Sequence, residues 1–388
     1  MKSIFKKTFA AVMALALVLG LAACGESSYT SDNTEYVIGF SGPLTGPAAV
    51  YGVAVQNSAQ MAVDEINEAG GLNGVKFKLL ATDDTHDATK VAANYASMLE
   101  GGMQVSLGTV TTAPGLEFTN LSKEDNIFFL TPSASGDDIP ANDNGFQMCF
   151  ADGNQGKVAA DYVNSTGLKE IGIFYKSDDA YSNGIYKQFK ENLDSSIKTV
   201  EAVFTDANAT DFSAQISTLK GCKFIFMPIY YTPASIFMTQ AKEIIAKDAV
   251  YYGCDGFDGL AGQFKDFSVI PQEVSMLSHF DSNATEGAAA DFIKKYTEKY
   301  GKDTLNQFGA SAYDCVYAIY NAMKTAIDAG EKIDVTISAS DLCDILKAQF
   351  TGDFTYSGVT GNNIKWEDNG YVEKGAVKYT LKTANSAK

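Results

Sequence analysis

The chain predicts an α/β protein of two similar lobes, each built on a parallel sheet. Three observations carry this reading. Short apolar runs alternate with amphipathic stretches along most of the length. The alternation restarts after about residue 145. The 388 residues are also more than one hydrophobic core usually serves.

The first set begins with a strand at 36–40, Tyr-Val-Ile-Gly-Phe, rich in the β-branched and aromatic residues that favour a pleated surface. Residues 52–69 place Val55, Ala59, Ala62, Val63 and Ile66 on one helical face. A strand at 75–81, a helix at 88–99, a strand at 103–107, a helix at 114–123 and a strand at 127–130 follow. Strand and helix in strict alternation predict parallel pairing with helices on both faces.

The second set opens with a strand-like run at 145–150 and a helix at 155–164. Strands at 171–175, 199–204, 224–229, 250–253 and 274–278 then alternate with helices at 180–193, 212–219, 233–246 and 256–264. Helices dominate 285–350. Two short strands at 361–366 and 371–382 flank the turn Glu367-Asp368-Asn369-Gly370. Two such halves in series predict a cleft, and ligands in such sheets bind beyond the carboxyl ends of the strands.

Residues 1–23 read as a secretory leader: Lys2, Lys6 and Lys7, then an apolar run from 9 to 19, then Leu21-Ala22-Ala23 before Cys24. The run is short for a bilayer span. The Cys after two Ala resembles a bacterial lipobox. Cys24 would then be the lipidated N-terminus of an extracytoplasmic protein held on the outer face of the cell membrane. Residues 24–34 read as a flexible tether.

The 47 acidic residues outnumber the 30 basic ones, and three of those lysines lie in the leader. A mature chain this acidic is a poor partner for nucleic acid or an anionic lipid surface. All the basic residues are Lys. Without Arg, the usual bidentate clamp for carboxylate and phosphate is missing. A ligand carboxylate must instead meet hydroxyls, backbone N–H groups, helix N-termini or Lys. Besides Cys24, the cysteines are Cys149, Cys222, Cys254, Cys315 and Cys343, in apolar runs with no C-x-x-C spacing. Buried free thiols are expected rather than a disulfide framework. His86 and His279 offer no metal spacing, so no metal or cofactor is expected.

Ser41-Gly42-Pro43-Leu44-Thr45-Gly46, Tyr51-Gly52, residues 64–74 (Asp-Glu-Ile-Asn-Glu-Ala-Gly-Gly-Leu-Asn-Gly) and Asp83-Asp84 occur in that order. The set resembles the extracytoplasmic solute receptors of branched-chain amino acid ABC importers, the leucine/isoleucine/valine-binding type, over roughly 35–382. The resemblance implies the type I periplasmic-binding fold: two Rossmann-like lobes joined by a three-segment hinge. On that pattern 35–152 with 281–355 form the first lobe, and 153–280 with 356–384 the second. The crossings fall near Asp152, near 279–281 and near 356–360.

Read by resemblance, Thr111 and Thr112 of Gly108-Thr-Val-Thr-Thr-Ala-Pro114, with Ser133, Ala134 and Ser135 of Thr131-Pro-Ser-Ala-Ser-Gly136, hold the α-carboxylate and part of the ammonium. N-capping by Thr111 or Thr112 is the alternative local role. Asp255 would take the ammonium, where the family more often has Glu. Tyr230 would be its neighbour, Tyr181 would close over the ligand, and Tyr51 would wall the side-chain pocket. The relatives with two membranes carry a disulfide near the ligand; here the matching positions are His86 and Thr111. His86 then reads as a rim residue or a surface loop His.

The implied function is a monomeric, lipid-anchored receptor that closes on a small amino acid, Leu, Ile or Val first, and delivers it to a permease and its ATPase. Another amino acid, an amide or urea, an aromatic acid, or a sensory role are the alternatives. Two His and no G-x-S-x-G or metal motif argue against an enzyme.

Overall fold

The computed structural model describes residues 33–206, 209–372 and 374–384. The leader, Cys24 and the tether up to residue 32 lie outside the described residues. Among those described, no helix is long and apolar enough to cross a membrane.

The first sheet joins β1 (Tyr36–Gly42), β2 (Phe77–Asp83), β3 (Val105–Ser106), β4 (Phe129–Thr131) and β5 (Gly145–Gln147) in the order β2-β1-β3-β4-β5. Every pair is parallel, with Ile38 opposite both Leu79 and Val105. The helices between these strands are α1 (Ala49–Glu68), α2 (Val91–Glu100) and α3 (Thr112–Glu124). The strand at 145 therefore closes the first sheet rather than opening the second.

Crossing to the second lobe, α4 (Asp152–Ser165) precedes β6 (Glu170–Lys176), α5 (Ala180–Asn192), β7 (Lys198–Phe204), α6 (Ser213–Leu219), β8 (Phe224–Met227), α7 (Tyr231–Ala241), β9 (Val250–Gly253) and β10 (Glu273–Ser278). With β11 (Val377–Lys382) they form the order β11-β10-β9-β8-β6-β7, parallel except for β11, which runs antiparallel to β10. The chain returns to the first lobe for α8 (Gly287–Tyr300), α9 (Gln307–Asp328) and α10 (Ala339–Phe350). There α9 packs against α1 through Phe308, Ala312, Cys315 and Ile319, all buried.

Three further segments differ from the sequence expectation. The helix expected at 256–264 is two 3₁₀ turns, Asp255–Phe257 and Leu260–Gln263, separated by Gly259 at φ +89. The strand expected at 361–366 is reduced to isolated bridges, Tyr356 with Ile364 and Trp366 with Val372. The hydrogen bonds of 356–372 also run to first-lobe residues. Asp314 of α9 accepts from the Tyr356 hydroxyl at 2.9 Å and from the Thr360 N–H at 2.7 Å, and Trp366 Nε1 donates to the Gln147 carbonyl at 2.8 Å. Residues 356–372 thus sit on the first lobe, and the third crossing lies between Val372 and β11. The buried ring of Trp366, against Phe350 at 4.4 Å, holds the segment there.

The glycine-rich signature is structural at two points. Gly70 and Gly71 adopt φ +105 and +71, and the Gly71 N–H returns to Ile66 O, ending α1 as a left-handed cap. A Cβ on Gly52 would overlap the Pro43 carbonyl, so α1 can lie against the β1–α1 loop only with glycine here. Asp83 braces that loop by accepting from the Leu44 N–H and the Thr45 hydroxyl, at 2.9 and 2.7 Å.

Candidate functional site

The carboxyl ends of both sheets meet across a narrow cavity of about 10 Å³, room for roughly one water. From the first lobe, Tyr51, Val110, Thr112, Ser133, Ser135 and Phe308 line it. From the second come Tyr181, Tyr230, Asp255 and Gly256. Each polar member follows a strand or opens a helix: Thr112 begins α3 after β3, Ser133 and Ser135 follow β4, Tyr181 opens α5, Tyr230 caps α7 and Asp255 follows β9. Parallel sheets put these turns at one edge, so residues far apart in sequence converge.

The second-lobe half is tightly organised. The Tyr181 hydroxyl donates to Asp255 Oδ1 at 2.6 Å and accepts from the Gly256 N–H at 2.9 Å. Its ring stacks on Tyr230, with centroids 4.5 Å apart. Across the cleft, the Tyr51 hydroxyl donates to the Gly256 carbonyl at 2.5 Å. The Tyr51 ring packs edge-on against Tyr231 and Phe308, each at 4.9 Å.

Burial dominates the electrostatics. It pushes the Asp255 carboxyl up to about 7, while hydrogen bonds from Tyr181, Gln155 and Gly256 oppose the rise. Burial, then the nearby Asp255 charge, also pushes Asp152 well above the ordinary carboxyl range. The cavity lining contains no Lys, Arg or His.

Two of the residues singled out from sequence stand outside the lining. Thr111 turns its hydroxyl to His86 Nδ1 at 2.9 Å. Ala134 gives its N–H to Thr131 Oγ1 at 3.0 Å and its carbonyl to Gln147 Nε2 at 3.1 Å. His86 is neither free nor remote: its ring meets Tyr230 edge-on at 5.2 Å across the cleft. Burial lowers its pKa. Val110, Gly256 and Phe308 line the cavity, and Asp152 and Gln155 stand behind it. Of these, Gly256 and Val110 adjoin residues already suspected, while no sequence pattern marks Phe308 or Gln155. The five described cysteines are all buried and free. Among the described residues, no cluster of His, Cys, Asp and Glu could hold a metal ion.

Residues 35–379 match the profile of the family described as Periplasmic binding protein. The chain belongs to that family. Its members bind solutes without transforming them, and the two-lobed fold is the type I form. The "leucine-, isoleucine-, valine-, threonine-, and alanine-binding protein" of Pseudomonas aeruginosa is 26% identical to this binding protein over 379 residues, covering 93% of this chain and 92% of its own. The branched-chain amino acid transporter substrate-binding protein LivJ of Streptococcus pneumoniae, solved with isoleucine, superposes with a TM-score of 0.78 at 26% identity, over 90% of this chain and 96% of its own. An ABC-transporter solute-binding protein of R. palustris, solved with benzoate, shares the fold: TM-score 0.76, 16% identity, 91% and 95% coverage.

Proposed function

We propose that this binding protein is the lipid-anchored receptor of an ABC importer that captures a small amino acid, branched-chain Leu, Ile or Val first, by closure of its lobes. One observation carries the ligand class. The cavity sets the hydroxyl-bearing Thr112, Ser133 and Ser135 of one lobe against the buried Asp255 and Tyr181 of the other. That arrangement is complementary to a zwitterion: hydroxyls for the α-carboxylate, a carboxylate for the ammonium. Val110, Phe308 and the ring of Tyr51 supply an apolar wall for an aliphatic side chain.

The mechanism is differential contact. Ligand held by the first lobe gains Asp255, Tyr181 and Tyr230 only when the lobes close, so it favours the closed form. The closed form would then dock on the permease with its ATPase, with Cys24 keeping the receptor at the membrane.

The likeness to a benzoate-bound fold raises a second reading, an aromatic acid. Burying such an anion beside Asp255 without an ammonium is unfavourable, which argues for the amino acid.

Thermal unfolding of the chain lacking its leader, against leucine, isoleucine, valine, glutamate, urea and benzoate, tests the ligand class. Ligand at 100 times its dissociation constant stabilises by about 2.7 kcal/mol. A shift with the branched-chain set, lost on Asp255→Ala, is the expected result; a shift with benzoate alone would overturn it. For the anchor, Cys24→Ser should release the protein from the membrane fraction.

A further inference from the structure

Behind the cavity lies a continuous buried chain of hydrogen bonds joining the two lobes at the first crossing. Asp152 opens α4 and is 2% exposed. Its N–H donates to the Ser135 carbonyl at 2.7 Å, and its Oδ2 accepts from Thr112 Oγ1 at 3.5 Å. Its other oxygen, Oδ1, accepts from Gln155 Nε2 at 3.3 Å. Gln155, one turn along α4, is fully buried. Its Oε1 accepts from the Asp255 backbone N–H at 3.0 Å. The run is thus Thr112 and Ser135, Asp152, Gln155, Asp255, Tyr181.

We propose that Gln155 is a positioning residue for ligand binding, a strut that holds Asp255 at a set distance from the Asp152 carboxylate and the hydroxyl cluster beyond it. The inference rests on the amino-acid reading above. Gln155 does not line the cavity; it acts through its two neighbours. The chemistry suits the amide. While neutral, it both accepts from an N–H and donates to a carboxylate, through the two ends of one group. Buried at 0% exposure, it faces Asp152 and Asp255 without adding a third charge between them. Aspartate at 255 has a short side chain, so the backbone that carries it must be placed closely; the strut fixes that backbone. The carboxylate end of the ligand meets Thr112 and Ser135, the ammonium end meets Asp255, and Gln155 sets the spacing between the two clamps.

Gln155→Met keeps the length and removes both hydrogen bonds; Gln155→Asn keeps the amide but cannot reach both partners. Calorimetry of the leaderless chain with leucine and with 4-methylpentanoate, which lacks only the ammonium, separates positioning from general stability. A strut predicts that leucine weakens roughly tenfold in both variants while 4-methylpentanoate changes little, so the preference for leucine collapses. A purely structural role would weaken both ligands together or lower the unliganded melting temperature alone. Either result, or a wild-type preference in both variants, overturns the strut while leaving the amino-acid reading intact. Wild-type protein that binds no amino acid overturns that reading and the strut with it.

Discussion

The hydroxyl of Tyr51, on α1 of the first lobe, donates to the carbonyl of Gly256 in the second lobe at 2.5 Å. This bond ties the wall of the cavity to the turn that carries Asp255, and it spans the cleft between the lobes. Tyr51→Phe keeps the ring contacts with Tyr231 and Phe308 and removes the tie. A net hydrogen bond contributes about 1 kcal/mol. Ligand should therefore bind a few-fold more weakly, chiefly through faster release. Stopped-flow fluorescence gives both rates; an unchanged off-rate would show that the bond does not hold the closed form.

Gly256 is hemmed in on its other side. A Cβ there would lie 2.7 Å from the Tyr181 hydroxyl and 2.8 Å from the Ile229 carbonyl. Gly256→Ala must push Tyr181 away from Asp255, because the backbone carbonyl cannot yield. The variant should fold but lose the ligand-induced rise in melting temperature. A full rise would mean that the turn relaxes at no cost.

Asp255 should make binding pH-dependent. Its carboxyl is raised by burial to about 7 in the unliganded protein. The raised value means that the protonated form favours folding. That contribution is present in full below about pH 4 and is lost as pH rises toward 7. An ammonium reverses the preference and draws the carboxylate form. Complex formation at about pH 6 should then release protons, and affinity should rise with pH up to about 7. Calorimetry in buffers of different ionisation enthalpy measures the release. Asp255→Asn should abolish most of it; release at the wild-type level in that variant would move the titration to Asp152.

Asp314 holds the chain beside the third crossing. It accepts from Tyr356 OH, Val359 N–H, Thr360 N–H and Thr360 OH, at 2.6–2.9 Å. Asp314→Ala leaves those buried donors without an acceptor and should destabilise by about 3 kcal/mol. Urea unfolding of the unliganded chain checks this. A loss below about 1 kcal/mol would mean that water or a rearranged loop satisfies the donors.

The alternation of strands and helices was legible because burial on both faces of a parallel sheet imposes continuous apolar runs such as 36–40 and 224–229. The turns that meet at the cavity were picked out by the family resemblance, helped by their hydroxyl-rich or aromatic residues after strands, as at Thr112, Ser135, Tyr181 and Tyr230. The strand expected at 361–366 failed because its alternating pattern reports packing of Tyr356, Ile364 and Trp366 on α9 and α10, not ladder pairing.

The sequence alone determined the two-lobed α/β plan, the order of most elements, the free buried thiols and, with the family resemblance, most of the residues that meet in the cleft. Tertiary structure decided the rest. Thr111 faces His86 while its neighbour Thr112 faces the cavity, a choice made by the direction of one helix start. Residues 356–372 belong to the first lobe because Trp366 and Asp314 hold them there. Gln155 reaches Asp255 across a sequence separation of 100 residues, and Tyr51 reaches Gly256 across 205. Local pattern records which face of an element is buried; it carries no record of which distant backbone group a buried polar side chain will meet.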